Sequence, residues 1–153
     1  MAYLGHLLTE NRHGLIADTA LTAATGTAER DAAIIMIGEL PLTSRRLTVG
    51  ADKLYDAHAW VTAVRTMGIT PHVAQSDRRR GGSAIDDRTT RHDGYAISQR
   101  KRKLVEQAFG WLKTIGLFRK LRHRGGRLVD WMFTFGAAAY NLVRWRTLIA
   151  QRA

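Results

Sequence analysis

Cysteine is absent from the 153 residues, which excludes a disulfide-stapled scaffold and any zinc site built on thiolates. Long apolar runs are missing too. The densest, Trp131 to Val143, falls short of the about 20 residues that a bilayer-crossing helix needs. Near the start, Glu10, Asn11 and Arg12 interrupt any stretch resembling the apolar core of a secretory leader. The six histidines show no metal-ligand spacing, and neither a Walker-type phosphate loop nor a nucleophile elbow occurs. No internal repeat, low-complexity tract or second-domain linker breaks the chain. The reading is therefore one domain over 1–153, cytoplasmic and without a membrane partner.

Acidic residues are scarce: 13 Asp and Glu face 24 Lys and Arg, a net charge of +11, while 45% hydrophobic residues suffice for a core. The excess is local. Between Arg78 and Arg127 there are 15 basic and 4 acidic residues, whereas the rest of the chain carries 9 of each. So concentrated a charge points to a surface that meets a polyanion, nucleic acid ahead of an unspecialised basic face.

Tyr3–Thr9 and Gly14–Leu21 read as the strands of a hairpin about an Asn11–Gly14 turn. Thr27 is placed to cap a helix carrying Ala32, Ile35, Met36 and Leu40. Arg46–Ala51 reads as a buried strand ending at Asp52. Asp56 is placed to cap the next helix, Gly68 to stop it, and Ile69–Ala74 to form a further strand. Strand, helix and strand of these lengths imply a parallel crossover. Residues 76–96 read as a long basic loop with an Arg78–Arg80 arm. A single helix is expected over 97–115, then a basic connector, and a last helix over 130–150 capped by Asp130. Trp111, Trp131, Phe133, Tyr140 and Trp145 sit at helical spacing suited to the core, with base stacking as the alternative; His58 and His72 read as structural, His92 and His123 as phosphate neighbours.

Two acids stand out. Asp52 lies where a strand ends, the place where ligands gather in open α/β sheets. On a continuous helix over 97–115, Gln99, Arg102, Glu106 and Lys113 share a narrow sector beside the apolar stripe of Val105, Ala108, Phe109 and Leu112. An Arg102–Glu106 surface pair accounts for part of that sector but leaves Lys113 unexplained. Two carboxylates in a strongly basic protein suit a hard divalent ion, Mg2+ or Mn2+, and phosphodiester chemistry. Arg100, Lys101, Arg102, Lys103, Lys113, Arg119, Lys120, Arg122 and Arg124 are the candidates for contact with double-stranded DNA.

GADKLYDA (50–57) resembles the second-aspartate segment of bacterial insertion-sequence DDE transposases, and QRKRKLVEQAFGWLKTIG (99–116) resembles their third-carboxylate helix. That helix carries a Tyr-x2-Arg-x3-Glu-x6-Lys signature, matched here by Arg102, Glu106 and Lys113, with Gln99 in the tyrosine position. GHLLTENRHGL, TPHVAQ, AIDDRTTRHDGYAISQRKRK, LRHRGG and AAAYNLVR extend the likeness over nearly the whole chain. The resemblance implies a ribonuclease-H-like α/β fold, a mixed sheet with flanking helices, and cut-and-paste transposition with divalent metal. It assigns Asp52 and Glu106 as catalytic, metal-binding acids, and Arg102 and Lys113 as DNA contacts near the cleavage site. The match begins after the family's first-aspartate strand. The expectation is thus a C-terminal piece of the catalytic domain, lacking that strand and inactive alone, which pairs with an N-terminal half or another copy. A non-catalytic DNA-binding protein that pairs with or inhibits full-length transposase is the alternative, and an unrelated RNA-binding protein a more distant one.

Overall fold

The computed structural model describes residues 2–41, 45–76, 81–120 and 122–151; the Arg78–Arg80 arm lies outside them. The fold is mixed α/β, with four strands and six helices among the described residues. Its antiparallel and parallel strand pairs occupy separate two-stranded sheets, an arrangement compatible with a truncated ribonuclease-H-like fold. The chain divides into two compact units, Met1–Met36 with Leu104–Ala153, and Ile37–Lys103.

The first unit is built on a hairpin. β1 (Tyr3–Thr9) pairs antiparallel with β2 (Ile16–Ala23), and the register shifts between Leu8 and Thr9. Gly14 sits in the turn with φ +73, where a Cβ would be strained. The Glu10 carboxylate accepts from the backbone N–H groups of Arg12 and His13, so the turn is pinned from inside. α1 (Ala28–Gly38) starts immediately after Thr27, whose carbonyl accepts from Asp31 N–H at 3.1 Å. Ala28, Ala32, Met36 and Ile37 are its buried residues; Ile35, placed by periodicity on the inner stripe, is exposed.

α6 (Gly126–Ala150) packs along β2 and α5 (Leu104–Thr114). It begins four residues ahead of Asp130, because Gly125 at φ +88 supplies the bend; Asp130 is an exposed residue inside the helix and not its cap. Ile16, Ala108, Ala137 and Tyr140 form the central cluster, with Leu7 and Trp111 against it. Trp111 meets Tyr140 edge-on at 5.7 Å, and Phe118 meets Phe133 at 6.0 Å. Gly136 faces the Phe118 ring, and Gly5 the Phe133 ring, too closely for a Cβ at either position. The carboxamide of Asn141 grips β2 twice: its Oδ1 accepts from Ile16 N–H and its Nδ2 donates to the Ile16 carbonyl, both at 2.8 Å. Arg144 donates to the His13 carbonyl at 2.7 Å, so this arginine fastens the hairpin turn.

The second unit contains the parallel crossover. β3 (Thr48–Ala51) pairs with β4 (Thr70–Val73), and α2 (His58–Thr66) links them. Trp60, Val61, Val64, Ile69 and Val73 are buried together, and Gly68 ends the crossover helix at φ +75. Asp56 does not cap α2, which starts after Ala57. Its fully buried carboxylate instead accepts from Ser76 N–H at 2.7 Å and Ala84 N–H at 2.8 Å, because two backbone donors in a buried loop need an acceptor more than a helix end in solvent does.

Two differences from the sequence reading concern the segment that follows. Residues 76–96 are not all loop: α3 (Asp87–Thr90) and the start of α4 (Asp93–Lys101) lie there. Moreover, 97–115 is not one helix. α4 ends at Lys101, Arg102 and Lys103 form a turn, and α5 begins at Leu104. The two helices have different partners, β3 and β4 for α4, β1 and α6 for α5, and packing on both overrides a helical sequence that carries no glycine or proline at the break.

A methyl group at Gly136 would stand 2.6 Å from the Phe118 ring and 3.1 Å from Leu112 Cδ2. Gly136→Ala is therefore expected to lower unfolding free energy by about 1–3 kcal/mol. The same change at Gly110, within α5 and with nothing inside 4 Å, is expected to raise it by about 0.5–1 kcal/mol. Asp56→Ala orphans two loop N–H groups and is expected to cost about 3 kcal/mol. Chemical denaturation of the three variants measures all of these values.

Candidate functional site

Asp52 stands at the carboxyl end of β3, half-buried. One carboxylate oxygen accepts from Leu54 N–H at 2.8 Å and so caps the single 3-10 turn Lys53–Tyr55. Among the described residues its other oxygen has no protein partner, which leaves a hard donor of the kind Mg2+ or Mn2+ takes. No group of three or more His, Asp or Glu side chains suited to a metal occurs among the described residues.

α4 and the turn after it bring three more polar side chains to the same unit. The Tyr95 hydroxyl donates to the Val73 carbonyl at 2.9 Å. Gln99 donates to the His72 carbonyl and accepts from Arg102 Nε at 3.1 Å. The Gln99 amide thus ties β4 to a half-buried guanidinium, and Arg102 is held before any ligand arrives. Arg100 and Lys101 are exposed in the last turn of α4, and Lys103 is exposed at the turn after it.

Glu106 and Lys113 belong to the other unit. Seven residues apart on α5, they share one exposed helical face. Beyond α5 the backbone turns sharply: Gly116 N–H and Phe118 N–H donate back to the Trp111 and Leu112 carbonyls, and Leu117 takes φ +62 between them. A leucine in that region is strained, and it persists because Phe118 is locked against Phe133. The turn presents an open concavity of about 600 Å3 lined by Lys113, Thr114, Leu117, Arg119, Lys120 and Arg122. Four of the cations singled out from the sequence therefore surround one hollow. Arg124 is exposed further along the same connector.

The chain matches the family model described as transposase DDE domain over residues 1–142. It belongs to that family. No curated protein and no solved structure matches it. DDE transposases act on DNA and generally use divalent metal ions, so a basic concavity and hard carboxylates are the chemistry this transposase domain calls for. No helix among the described residues is long and apolar enough to cross a membrane.

Asp56, Tyr95 and Asn141 escaped the sequence reading as positioning groups, since each bonds backbone many positions away. Two aromatics escaped it in the opposite sense. Phe133 and Tyr140 are buried as their spacing implies, whereas Trp131 and Trp145 are 60% and 56% exposed.

His72 is buried beside Tyr95, their rings 5.8 Å apart, and its Nδ1 has no partner among the described residues. Burial first, then the charges of Arg46 and His92, hold its pKa below the ordinary 6.5. The unfolded chain accordingly takes up a proton that the folded chain refuses. Stability is complete above pH 6.5 and declines as pH falls from there towards the lowered value. Melting temperatures measured between about pH 7 and pH 5 are expected to drop less steeply in His72→Gln than in the wild type. Parallel curves for the two proteins would show that His72 does not carry this dependence.

Proposed function

We propose that this chain is the C-terminal part of a DDE transposase catalytic domain, which cleaves DNA at element ends and joins the 3′ ends to target DNA. The observation that carries the reading is the concavity in which Lys113, Arg119, Lys120 and Arg122 converge, within a chain of the transposase DDE family. Four cations about an open hollow suit a DNA backbone, whose phosphates they contact while released counterions supply the driving force. Arg102, steadied by Gln99, adds a fixed donor, and Arg100, Lys101, Lys103 and Arg124 extend the cationic surface. Asp52 on the second unit and Glu106 on the first are, each by its place in the family resemblance, the acids put forward as ligands for Mg2+ or Mn2+. When bound, the ion would activate a water or hydroxyl and steady the leaving oxygen of the phosphodiester. The working environment is the cytoplasm, where the element's DNA lies.

A second reading is favoured by one observation. Asp52 already serves as the cap of the Lys53–Tyr55 turn, a structural task that needs no metal. On that reading the chain binds DNA without cutting it, and pairs with or restrains a complete transposase.

Replacing Lys113, Arg119 and Arg122 by alanine is expected to weaken duplex affinity regardless of sequence and to flatten the dependence of log affinity on log salt by about one unit per lost contact. An unchanged salt slope would remove the concavity from the interface. Glu106→Gln and Asp52→Asn separate the two readings. On the first, the chain alone does not nick, Mg2+-dependent nicking appears when the N-terminal half of a transposase catalytic domain is added, and both variants lose it while duplex binding persists. DNA binding without nicking at any Mg2+ or Mn2+ concentration, even with that N-terminal half present, would leave the second.

A further inference from the structure

α6 has two apolar faces. Val129, Phe133, Gly136, Ala137 and Tyr140 are buried on one side against the hairpin and α5. On the opposite side, Leu128, Trp131, Phe135, Ala138, Leu142, Trp145 and Ile149 follow one another at intervals of three, four, three, four, three and four residues. At 3.6 residues per turn that is an unbroken stripe about 30 Å long, with the heptad spacing of a helix–helix seam. None of it is covered. The six large side chains are between 51% and 64% exposed, Ala138 is exposed, and Trp131 and Phe135 stack on each other at 5.5 Å.

With a whole large apolar side chain worth about 150–250 Å2, these exposures leave on the order of 700 Å2 of apolar surface on one helix face. The largest such patch on an ordinary monomer is about 300–600 Å2, and each partner in a stable complex covers about 800 Å2. The stripe therefore has the size of an interface. Its seven residues carry no charge, and the exposed Arg127 and Arg146 lie only along its flanks, so the surface that fills the stripe itself is apolar.

We propose that this face of α6 pairs with the same face of α6 in a second copy of the chain. The heptad spacing calls for a helix as partner, and the seam calls for one of its own length. Among the described residues no other helix exceeds 11 residues, against 25 for α6, so the matching seam within reach of the sequence is another α6. Such a pair is isologous: each residue of the stripe serves as knob on one copy and lines a hole on the other. Ala138, near the midpoint between Leu128 and Ile149, is small enough to let the two helices approach at the centre. The proposal is independent of the DNA and metal readings above, since none of these residues belongs to either.

Sedimentation equilibrium on the full chain, at high salt after nuclease treatment, tests it. The expected mass is twice the 17.1 kDa of one chain, and Leu142→Glu combined with Trp145→Glu is expected to restore the single-chain mass with an unchanged helical circular dichroism spectrum. Because the chain has no cysteine, Ala138→Cys supplies a second measurement. Near the middle of the seam it faces its own counterpart whichever way the helices run, and mild oxidation is expected to give a disulfide-linked pair in high yield. If the glutamate variant loses helical signal, this cross-link decides. A wild type that keeps the mass of one chain at every concentration, a folded glutamate variant that pairs as the wild type does, or a failure of Ala138→Cys to cross-link would each overturn the proposal.

Discussion

Two-stranded sheets cannot satisfy their own backbones, and the structure is organised around side chains that make up the deficit. In a wider sheet the polar groups of β2 and β4 would find further strands. Here the Asn141 amide supplies both a donor and an acceptor to Ile16, as a neighbouring strand would, while Tyr95 and Gln99 donate to the Val73 and His72 carbonyls. Asp56 does the same for the loop beyond β4, accepting from Ser76 and Ala84 in a buried setting. Unmade hydrogen bonds inside a protein cost more than made ones contribute, so these few polar side chains hold the elements in place more firmly than their number suggests.

That constraint also marks how far the sequence could be read. Elements specified by nearby residues were legible: the hairpin from two strand-forming runs about the Asn11–Gly14 turn, the crossover from strand, helix and strand lengths, the end of α2 from Gly68. Features created by distant partners were not. Nothing at Arg102 or Lys103 announces a helix break, because the break follows from α4 and α5 packing on different strands and helices. Asp56 has the sequence position of a helix cap, and only the fold brings Ser76 and Ala84 within its reach. The same division runs through the site. Lys113, Arg119, Lys120 and Arg122 were visible as a basic run, but their convergence on one hollow depends on the Gly116–Phe118 turn, where a strained leucine is held by aromatic packing.

Charge and fold are linked in a second way. The basic residues cluster where backbone hydrogen bonding is least regular, in the turn after α4 and the connector after α5. Flexible cations lose side-chain entropy when they grip a phosphate, and a connector fixed at both ends by α5 and α6 reduces that cost by placing the stems in advance. Gln99 does so more directly for Arg102. The structure thus invests its ordering in the position of positive charge, the arrangement expected when the ligand is a backbone to be held irrespective of its base sequence.

The two surfaces of the first unit bear on each other energetically. A chain with a net charge of +11 resists meeting its own copy, and the resistance reaches over about a Debye length, roughly 8 Å at physiological salt. The apolar stripe of α6 acts only at contact, so long-range repulsion opposes what short-range burial favours. A duplex bound as proposed would remove that opposition, since phosphates neutralise the very groups that repel. Pairing through α6 and binding of DNA at the Lys113–Arg122 hollow, as proposed above, would then be coupled with no conformational change: whatever DNA gained from two cationic hollows in one assembly, the helix pair would gain from the neutralised charge, and linkage would make the two gains equal.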